Sequence, residues 1–321
     1  MRNDHYTMIA RNAVRNALKG VSADAHVAFG CSGGADSMAL LFALSTLYKK
    51  DRAKQVHVVI VNHQLQEITT QISEETAKLA EKFGFVAHIV PVDIAATNKG
   101  MEADARTARY GVFHKIIEDF DIQAFMIGHT KTDQAEQVML GMLRGSGTRS
   151  ISGIREKRDV FVRPFLNLMT REETQKVCEE NNYDYWCDPQ NDSDDYRRVV
   201  VRKLIKGVEK NAGQGVVESL VRTAQLSSED AEALDFYADM AFDKIIESDW
   251  DVEVLSSVPA AVRKRVYRKM IISLGVDSEK VGFELTNRVD EFVSDWHGQK
   301  AVAFANNVRV SRKDGKLVFS S

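Results

Sequence analysis

A run of small and polar residues between two apolar segments constrains this chain more than any other feature. Residues 26–31 are typical of a buried strand, and residues 38–44 are typical of a helix packed on a sheet. The run between them consists of Ser32, Gly33, Gly34, Ala35, Asp36 and Ser37. Glycines allow successive N–H groups to converge on one point beside the positive end of the helix dipole. The pattern therefore predicts a strand–loop–helix anion site, and phosphate is the usual occupant of such a site.

The loop at residues 32–37 has neither the Gly-Lys-Ser/Thr of a Walker A motif nor the spacing of a dinucleotide-binding G-x-G-x-x-G. It resembles the SGGxDS pyrophosphate loop (PP-loop) of the N-type ATP pyrophosphatases, which split ATP between its α and β phosphates. The resemblance implies that the loop holds pyrophosphate and that Asp36 orients Mg²⁺ or the phosphate chain. From the residues alone, a strand-to-helix turn with incidental glycines is the alternative.

Strands and helices alternate through the first half of the chain. Strands are predicted at 26–31, 57–62, 86–92, 124–128 and 159–163, and helices at 38–48, 72–83, 103–120, 132–144 and 170–181. This alternation predicts an α/β fold with a parallel sheet and helices on both faces. Ligands of such sheets bind at the carboxyl ends of the strands, where the 32–37 loop, Asn62 and His129 all fall.

The pattern changes near residues 210–215. Beyond them, residues 216–242 and 259–274 are helical in pattern, and three short strands are predicted at 300–305, 308–311 and 316–319. We therefore expect a catalytic domain at residues 1–215. A smaller, mainly helical domain with short C-terminal strands is expected at residues 216–321.

Composition limits the class of protein. The chain has 321 residues, a net charge of −3 and three cysteines without a C-x-x-C pair, so neither a zinc site nor a disulfide framework is indicated. No apolar run approaches a membrane span, and we expect a cytoplasmic protein without a membrane partner. Basic clusters at 197–206 and 263–269 are either solvated helix faces or nucleic-acid contacts. No interface signal stands out, so a homodimer is left open.

Two carboxylates and an imidazole follow the fourth predicted strand. Asp133 and Glu136 are three residues apart and share one face of the first helical turns, and His129 lies just before that helix. Such a group can hold a cation, coordinate Mg²⁺ or act as a base. The alternative is that the carboxylates only complement the positive end of the helix.

Two arginines lie one turn apart on the preceding predicted helix. Arg106 and Arg109 present guanidinium groups, which suit a phosphate. Arg106 can instead pair with Glu102, four residues earlier.

Six further segments follow the loop in a characteristic order. They are 61–66 (VNHQLQ), 102–113 (EADARTARYGVF), 129–136 (HTKTDQAE), 143–147 (LRGSG), 163–164 (RP) and 188–202, which begins DPQN. In these segments and their order, over about residues 26–205, the chain resembles the tRNA(Ile)-lysidine synthetase family. Asn62 stands where the family usually has aspartate, and Thr132 where it often has a first aspartate.

The resemblance implies an ATP-dependent ligase. Members join L-lysine to carbon 2 of the wobble cytidine in the CAU anticodon of tRNA(Ile), through an adenylated cytidine, and release AMP and pyrophosphate. The implied cofactors are ATP and Mg²⁺, and the implied partners are that tRNA and L-lysine. The product, lysidine, switches codon reading from AUG to AUA.

The resemblance also implies roles for individual residues. Catalysis is expected from Asp36, Arg109, His129, Asp133 and Glu136, with Asp133 and Glu136 binding lysine. ATP binding is expected from Ser32, Gly33, Gly34, Ala35, Asp36, Ser37, Asn62 and His63, and Mg²⁺ binding from Asp36. Contacts with tRNA are expected from Arg144, Tyr196, Arg197, Arg198, Arg202 and Lys203. The cluster at 263–269 is a candidate contact for the tRNA stem.

Two other readings stay open. One is a different ATP pyrophosphatase, such as a tRNA thiolase, a GMP synthetase or an NAD synthetase, although a thiolase usually shows paired cysteines in its catalytic domain. The other is a nucleotide-binding regulatory module that has lost catalysis. ATP–pyrophosphate exchange or tRNA-dependent AMP release separates an enzyme from a binder.

Overall fold

The computed structural model describes residues 4–62, 67–92, 101–145, 147–187, 197–213 and 215–320. Its strands are β1 (His26–Gly30), β2 (Val56–Asn62), β3 (Val86–Pro91), β4 (Ile122–Met126), β5 (Lys157–Arg158), β6 (Phe161–Val162), β7 (Val302–Ala303), β8 (Arg309–Lys313) and β9 (Lys316–Ser320). Its helices are α1 (His5–Ala17), α2 (Ala35–Leu47), α3 (Glu67–Lys82), α4 (Met101–Asp119), α5 (Lys131–Leu143), α6 (Thr148–Ile151), α7 (Arg171–Glu180), α8 (Arg197–Ala212), α9 (Val216–Glu247), α10 (Val252–Ser256), α11 (Ala260–Ser273) and α12 (Phe283–Ser294).

The larger sheet has the strand order β3-β2-β1-β4-β6-β5. Every neighbouring pair is parallel except β5–β6, and the order reverses between β1 and β4. Open α/β sheets bind ligands at the carboxyl ends of the strands beside such a reversal. The predicted α/β fold with a parallel sheet is therefore confirmed, and its crevice lies where β1 and β4 end.

Helix α2 anchors this crevice because it is buried on nearly every side. Met38, Leu40, Leu41 and Leu44 are fully buried, and the helix packs against α1 and α7. A helix that is apolar all round belongs inside a protein, and each buried leucine contributes about 1.5–3 kcal/mol. The start of α2 is thus fixed in place by its own core contacts.

The chain divides into two compact units. The first comprises Met1–Arg144 and Gly153–Ala224, and the second comprises Gly145–Ser152 and Gln225–Ser321. The second unit has its own core, in which Tyr267 and Phe292 are fully buried, and a three-stranded antiparallel sheet in the order β7-β8-β9. The predicted helical part with short C-terminal strands is confirmed, whereas the predicted boundary at residue 216 stays a prediction.

The predicted strand at 159–163 is wrong in detail. The structure has a tight hairpin there, with β5 antiparallel to β6. Asp159, with φ +53°, adopts the left-handed conformation that turns the chain between the two short strands. Across the ranges given above, no helix combines the length and apolar character needed to cross a membrane.

Candidate functional site

The 32–37 loop connects the end of β1 to the start of α2. Gly33 has φ +80°, and a side chain there would place its Cβ 2.6 Å from Ile72 Cγ2. Ser37 Oγ accepts from the Ser32 N–H at 3.1 Å and donates to the Gly34 carbonyl at 2.9 Å. In the described part of the chain, no side chain caps α2 at Gly34. The first N–H groups of α2 are therefore available to an anion.

A cavity of about 420 Å³ opens at the carboxyl ends of β1, β2 and β4. Most of the residues predicted to bind ATP or catalyse line it, namely Ser32, Gly34, Ala35, Asp36, Ser37, Asn62, Arg109, His129 and Asp133. Gly33 and Glu136 do not line it, and His63 lies outside the described residues. The fold thus brings together side chains that are up to 101 residues apart in sequence, those of Ser32 and Asp133.

Gly128 lets the end of β4 approach the start of α2. A Cβ at this position would lie 2.9 Å from the Asp36 carbonyl oxygen and 3.1 Å from its carbonyl carbon. Only a glycine fits against this backbone without displacing it. The backbone that follows β4 therefore lies directly against the backbone at the start of α2, beside the cavity.

Asp36 is half-buried at the first turn of α2. Burial and the neighbouring Asp133 raise the pKa of Asp36 to about 7, while Thr174 and Arg171 oppose that rise. The Thr174 hydroxyl lies 2.5 Å from Asp36 Oδ1. The sequence analysis missed both Thr174 and Arg171. The signal that fixes where they lie is the capping box of α7, formed by Thr170 and Glu173.

Asp133 combines both of the roles considered for it. Its Oδ2 accepts from the Thr130 N–H at 2.7 Å and from the Thr130 hydroxyl at 2.9 Å, which forms the capping box of α5. The same side chain lines the cavity. The carboxylate is therefore oriented by its hydrogen bonds at the start of α5 and is still accessible from the cavity.

Glu136 lies beneath the cavity with 1% of its side chain exposed. Its Oε1 accepts from Arg202 Nε at 2.6 Å, and burial raises the pKa of Glu136. Its Oε2 is buried without a hydrogen-bond partner among the described residues. A buried carboxylate oxygen in this state suits an additional cationic donor. Asp36, Asp133 and Glu136 are called the acidic centre below. Arg202 contacts this centre through Glu136, and its predicted tRNA contact stays a prediction.

The acidic centre fits a cation. Among the ranges that the structure describes, no three His, Cys, Asp or Glu side chains form a metal-binding group. Mg²⁺, however, usually takes one or two carboxylates and completes its ligands from phosphates and water. Asp36 and Asp133 are mutually repelling carboxylates beside an anion loop, and this donor set suits such an ion.

His129 lies at the end of β4 and contacts Arg163. Arg163 Nε donates to His129 Nδ1 at 3.1 Å, and Arg163 Nη1 donates to the Arg155 carbonyl at 2.7 Å. Burial lowers the pKa of His129 to about 4. The imidazole is therefore neutral near pH 7.

The remaining cavity walls come from α3, α4 and the segment after α7. Asn62 Nδ2 donates to Thr70 Oγ1 at 3.0 Å, which ties the end of β2 to the first turn of α3. Arg106 stacks on Tyr110, with its guanidinium carbon 4.9 Å from the ring centroid. Trp186, which the sequence did not single out, lines the cavity, and its backbone N–H donates to the Gly33 carbonyl at 3.1 Å.

The residues predicted to contact tRNA differ in their surroundings. Arg144 is exposed just after α5, and Arg197 and Lys203 are exposed on α8. Arg198 lies close enough to the site to lower the pKa of His129. Tyr196 lies outside the described residues.

The basic cluster at 263–269 is used inside the second unit. Arg263 is 8% exposed and binds Asp290 through two hydrogen bonds of 2.6 and 3.0 Å. Arg265 donates to Asp235 at 3.0 Å, and Lys269 pairs with Asp239. The expectation that this cluster holds the tRNA stem is wrong for Arg263, because its guanidinium is buried and satisfied.

Comparison with known proteins places these features in a family. The sequence profile of the PP-loop domain matches residues 6–208. The chain is 34% identical to the tRNA(Ile)-lysidine synthase of Thermobifida fusca over 98% of its own length and 97% of that protein. It is 34% identical to the enzyme of the same name from Salinispora tropica, over 96% of this chain and 94% of the relative. The tRNA(Ile)-lysidine synthase of Streptomyces coelicolor is 35% identical, over 91% of this chain and 84% of that protein.

A solved structure shows the same fold. The U34-tRNA thiolase NcsA from Methanococcus maripaludis superposes with a TM-score of 0.57 at 20% sequence identity, over 70% of this chain and 81% of that one. At this identity the likeness concerns the fold alone. The PP-loop profile matches more than half of the chain, and three lysidine synthases are 34–35% identical to it over 91–98% of its length. The chain therefore belongs to the tRNA(Ile)-lysidine synthase family.

Proposed function

We propose that this chain joins L-lysine to carbon 2 of the wobble cytidine in the CAU anticodon of tRNA(Ile). ATP is split to AMP and pyrophosphate in the reaction. One observation supports the proposal beyond family membership: a single cavity carries both an uncapped anion loop and oriented carboxylates. Activation by ATP needs the loop, and attack by an amine needs the carboxylates.

In the first half-reaction, the cytidine O2 attacks the α-phosphate of ATP and pyrophosphate leaves. We propose that the N–H groups at the start of α2 and the 32–37 loop bind the departing pyrophosphate. Arg109, which lines the cavity, offsets negative charge on the adenylate. Asp36 would hold Mg²⁺ together with the ATP phosphates, and the ion would withdraw charge from the phosphoryl oxygens.

In the second half-reaction, the lysine ε-amine attacks carbon 2 and AMP leaves. A protonated amine has no lone pair, so a base has to accept its proton. We propose that Asp133 accepts this proton, because its carboxylate faces the cavity and is oriented by Thr130. Glu136 does not line the cavity, but its buried Oε2 has no hydrogen-bond partner among the described residues, and we propose that it helps to attract the lysine ammonium group.

We propose that tRNA contacts come mainly from α8 and the end of α5. Arg197 and Lys203 are exposed on α8, and Arg144 is exposed after α5. Arginine and lysine side chains on one helix can contact the phosphate backbone of a tRNA. An unpaired wobble base is recognised by stacking on its ring and by hydrogen bonds to its edges. Arg198 belongs to this proposed surface, and Tyr196, which lies outside the described residues, is a further proposed tRNA contact. We also propose that residues 216–321 form a tRNA-binding domain.

A thiolase reaction has less support than ligation. Cys31 is buried, and burial raises the pKa of its thiol to about 11. Cys178 is also buried, and its pKa is raised to about 12. Both thiols therefore stay protonated near pH 7, whereas a nucleophilic or metal-binding cysteine needs the thiolate.

The two half-reactions can be separated experimentally. The chain is incubated with CAU-anticodon tRNA(Ile) and ATP labelled at the α-phosphate, first without lysine. We expect the label to enter the tRNA and to leave as AMP when lysine is added. A label that never enters the tRNA, with ATP bound and the protein folded, would contradict adenylation of the base.

A further inference from the structure

We infer that Arg163 holds His129 as a neutral imidazole with its proton on Nε2, so that His129 acts as a hydrogen-bond donor and not as the base. Arg163 is then a positioning residue that acts through His129. The inference rests on the proposed function and deepens it, because it removes one of the candidate proton acceptors.

The geometry of the pair fixes the tautomer. Arg163 Nε lies 3.1 Å from His129 Nδ1. A guanidinium stays protonated in proteins, and its nitrogens only donate. His129 Nδ1 therefore has to accept, which requires a lone pair on that nitrogen. In a neutral imidazole the proton is then on Nε2.

Other contacts hold the Arg163 guanidinium in place. Its Nη1 donates to the Arg155 carbonyl at 2.7 Å, while its Nε is engaged by His129. The Arg163 backbone N–H donates to the Glu156 carbonyl at 2.9 Å. The residue is 6% exposed, so the guanidinium is anchored from several directions.

The surrounding charges keep this imidazole neutral. Burial lowers the pKa of His129 to about 4, and Arg163, Arg106 and Arg198 lower it as well. Only Asp133 acts in the opposite direction. Near pH 7 the ring therefore carries one proton, and the contact with Arg163 decides which nitrogen holds it.

The consequence concerns the proton of the attacking amine. His129 lines the cavity, and Nε2–H is the polar atom of its ring that Arg163 does not use. An N–H donor beside the anion loop suits a phosphate oxygen of ATP or of the adenylate. The one lone pair of the ring, on Nδ1, is occupied by the hydrogen bond from Arg163, so His129 does not accept the proton of the lysine amine, and that step falls to Asp133.

The tautomer is measurable without any enzymatic reaction. Nitrogen-15 NMR of histidine-labelled protein reports the protonation of each ring nitrogen, and the His129 signals are identified by their loss in His129→Gln. At about pH 7 we expect an unprotonated Nδ1 and a protonated Nε2. An Nδ1–H tautomer or an imidazolium in the wild-type chain would overturn the inference.

Variants test the role of Arg163. In Arg163→Met we expect a mixture of tautomers and a fall in kcat of about 10- to 100-fold, as for other groups that orient a functional histidine. The control is Arg158→Met, because the Arg158 side chain is 71% exposed and pairs only with Asp159 among the contacts described. A wild-type tautomer that persists unchanged in Arg163→Met would remove Arg163 from this role.

A second pair of variants separates a donor from a base. Glutamine at position 129 still donates through its amide, whereas phenylalanine cannot. We expect His129→Gln to keep kcat within about tenfold, with an unchanged pH profile, and His129→Phe to lose about 100-fold or more. Equal loss in both variants would contradict the donor role. If the wild-type chain transfers no lysine, the proposed function fails, and NMR alone still decides the tautomer.

Discussion

Asp36, Asp133 and Glu136 form the acidic centre of the molecule, and each depends on a different neighbour. Asp36 is contacted by Thr174, Asp133 caps α5 through Thr130, and Glu136 is paired with Arg202. Asp133 raises the pKa of both other carboxyl groups. A cation near Asp133, whether an amine or a metal ion, therefore relieves repulsion on both sides.

Replacement of Asp133 by asparagine tests its role as the base. Asparagine still accepts hydrogen bonds at the start of α5, so we expect less than about 1 kcal/mol of lost stability. Transfer of lysine should fall by about 100-fold or more, because the amide accepts no proton, while adenylation of the tRNA is retained. Rapid-quench assays of the two half-reactions measure both rates.

Glu173→Gln is the matched control for Asp133→Asn. Glu173 forms the same type of capping box, and its Oε2 accepts from the Thr170 N–H at 2.7 Å, but it does not line the cavity. Both rates should stay near those of the wild type in this variant. Near-normal lysine transfer in Asp133→Asn would take Asp133 out of the chemistry.

Sequence reasoning reached the residues that local patterns describe. The spacing of His129, Asp133 and Glu136 placed them at the start of one helix because helical periodicity is a local property. Thr174 contacts Asp36 from 138 residues away, and Arg163 contacts His129 from 34 residues away. Contacts of this kind depend on which strands become neighbours, and no local spacing encodes that.

Strand β4 and helix α2 meet at the cavity through a backbone contact. The ideal Cβ at Gly128 lies 2.9 Å from the Asp36 carbonyl oxygen, so any side chain there displaces the loop that we propose to bind the phosphates of ATP. The helix cannot retreat easily, because its side chains fill the core of the first unit. Small displacements of such a loop are costly for ligand binding.

Gly128→Ala should therefore weaken ATP binding by at least about tenfold, as measured by calorimetry. Gly111→Ala is the control, because Gly111 lies within α4 and a Cβ there has open space around it. That control should gain about 0.5–1 kcal/mol of stability and keep its ATP affinity. Unchanged ATP affinity in Gly128→Ala would refute the close approach.

Three histidines form a ladder across the first three strands. His57 Nε2 lies 2.8 Å from His26 Nδ1, and His57 Nδ1 lies 2.9 Å from His88 Nε2. His57 is 2% exposed and also contacts the ring of Phe120. Burial, with His88 and His26, lowers the pKa of His57 to about 4. The folded sheet therefore resists a proton that the unfolded chain accepts.

This ladder predicts acid sensitivity. Between an unfolded pKa of about 6.5 and a folded pKa of about 4, the unfolded chain binds more protons, so stability falls as the pH falls. From pH 7 to pH 5 the contribution of His57 amounts to a loss of about 2 kcal/mol. Urea unfolding at both pH values measures the total change in stability, to which other shifted groups such as His129 also contribute. In His57→Gln the change from pH 7 to pH 5 should differ from that of the wild type by about 2 kcal/mol, whereas the exposed control His297→Gln should match the wild type. An identical pH dependence in His57→Gln and the wild type would contradict the assignment.

Element prediction succeeded where burial dictates the sequence. Strands β1, β2 and β4 are mostly buried apolar runs because both faces of the central sheet are covered, and such runs are recognisable without a structure. Strand β3, at the edge of the sheet, is only partly buried. The hairpin of β5 and β6 was predicted as one strand, since each half has only two residues. Its turn depends on Asp159, which adopts a left-handed conformation. Aspartate adopts this conformation without requiring a particular neighbouring residue, so no local sequence pattern indicated the turn.

The two compact units use their basic residues differently. In the second unit Arg263 is buried against Asp290, whereas Arg197 of α8 in the first unit is exposed. Net charge and cluster spacing were the same kind of signal for both clusters, so the sequence could not distinguish them. The difference lies in acidic partners such as Asp290, which are distant in sequence.

Salt dependence of tRNA binding separates the two uses. Arg197→Gln should weaken binding and reduce the slope of log K against log salt by about one, because one phosphate contact is lost. Arg263→Met should leave that slope unchanged but cost about 3 kcal/mol of stability, because the buried Asp290 loses both hydrogen bonds from Arg263 and keeps only Lys264, 3.7 Å away. A reduced slope in Arg263→Met with unchanged stability would show that the second unit offers this arginine to tRNA.

We propose that this chain attaches lysine to one cytidine of one tRNA. The most direct measurement is incorporation of labelled lysine into a CAU-anticodon tRNA(Ile) transcript with ATP and Mg²⁺, beside elongator methionine tRNA, which carries the same anticodon. We predict label in the isoleucine transcript alone. The absence of label from folded, ATP-binding protein would contradict ligation, and equal label in both transcripts would contradict selection of the isoleucine tRNA.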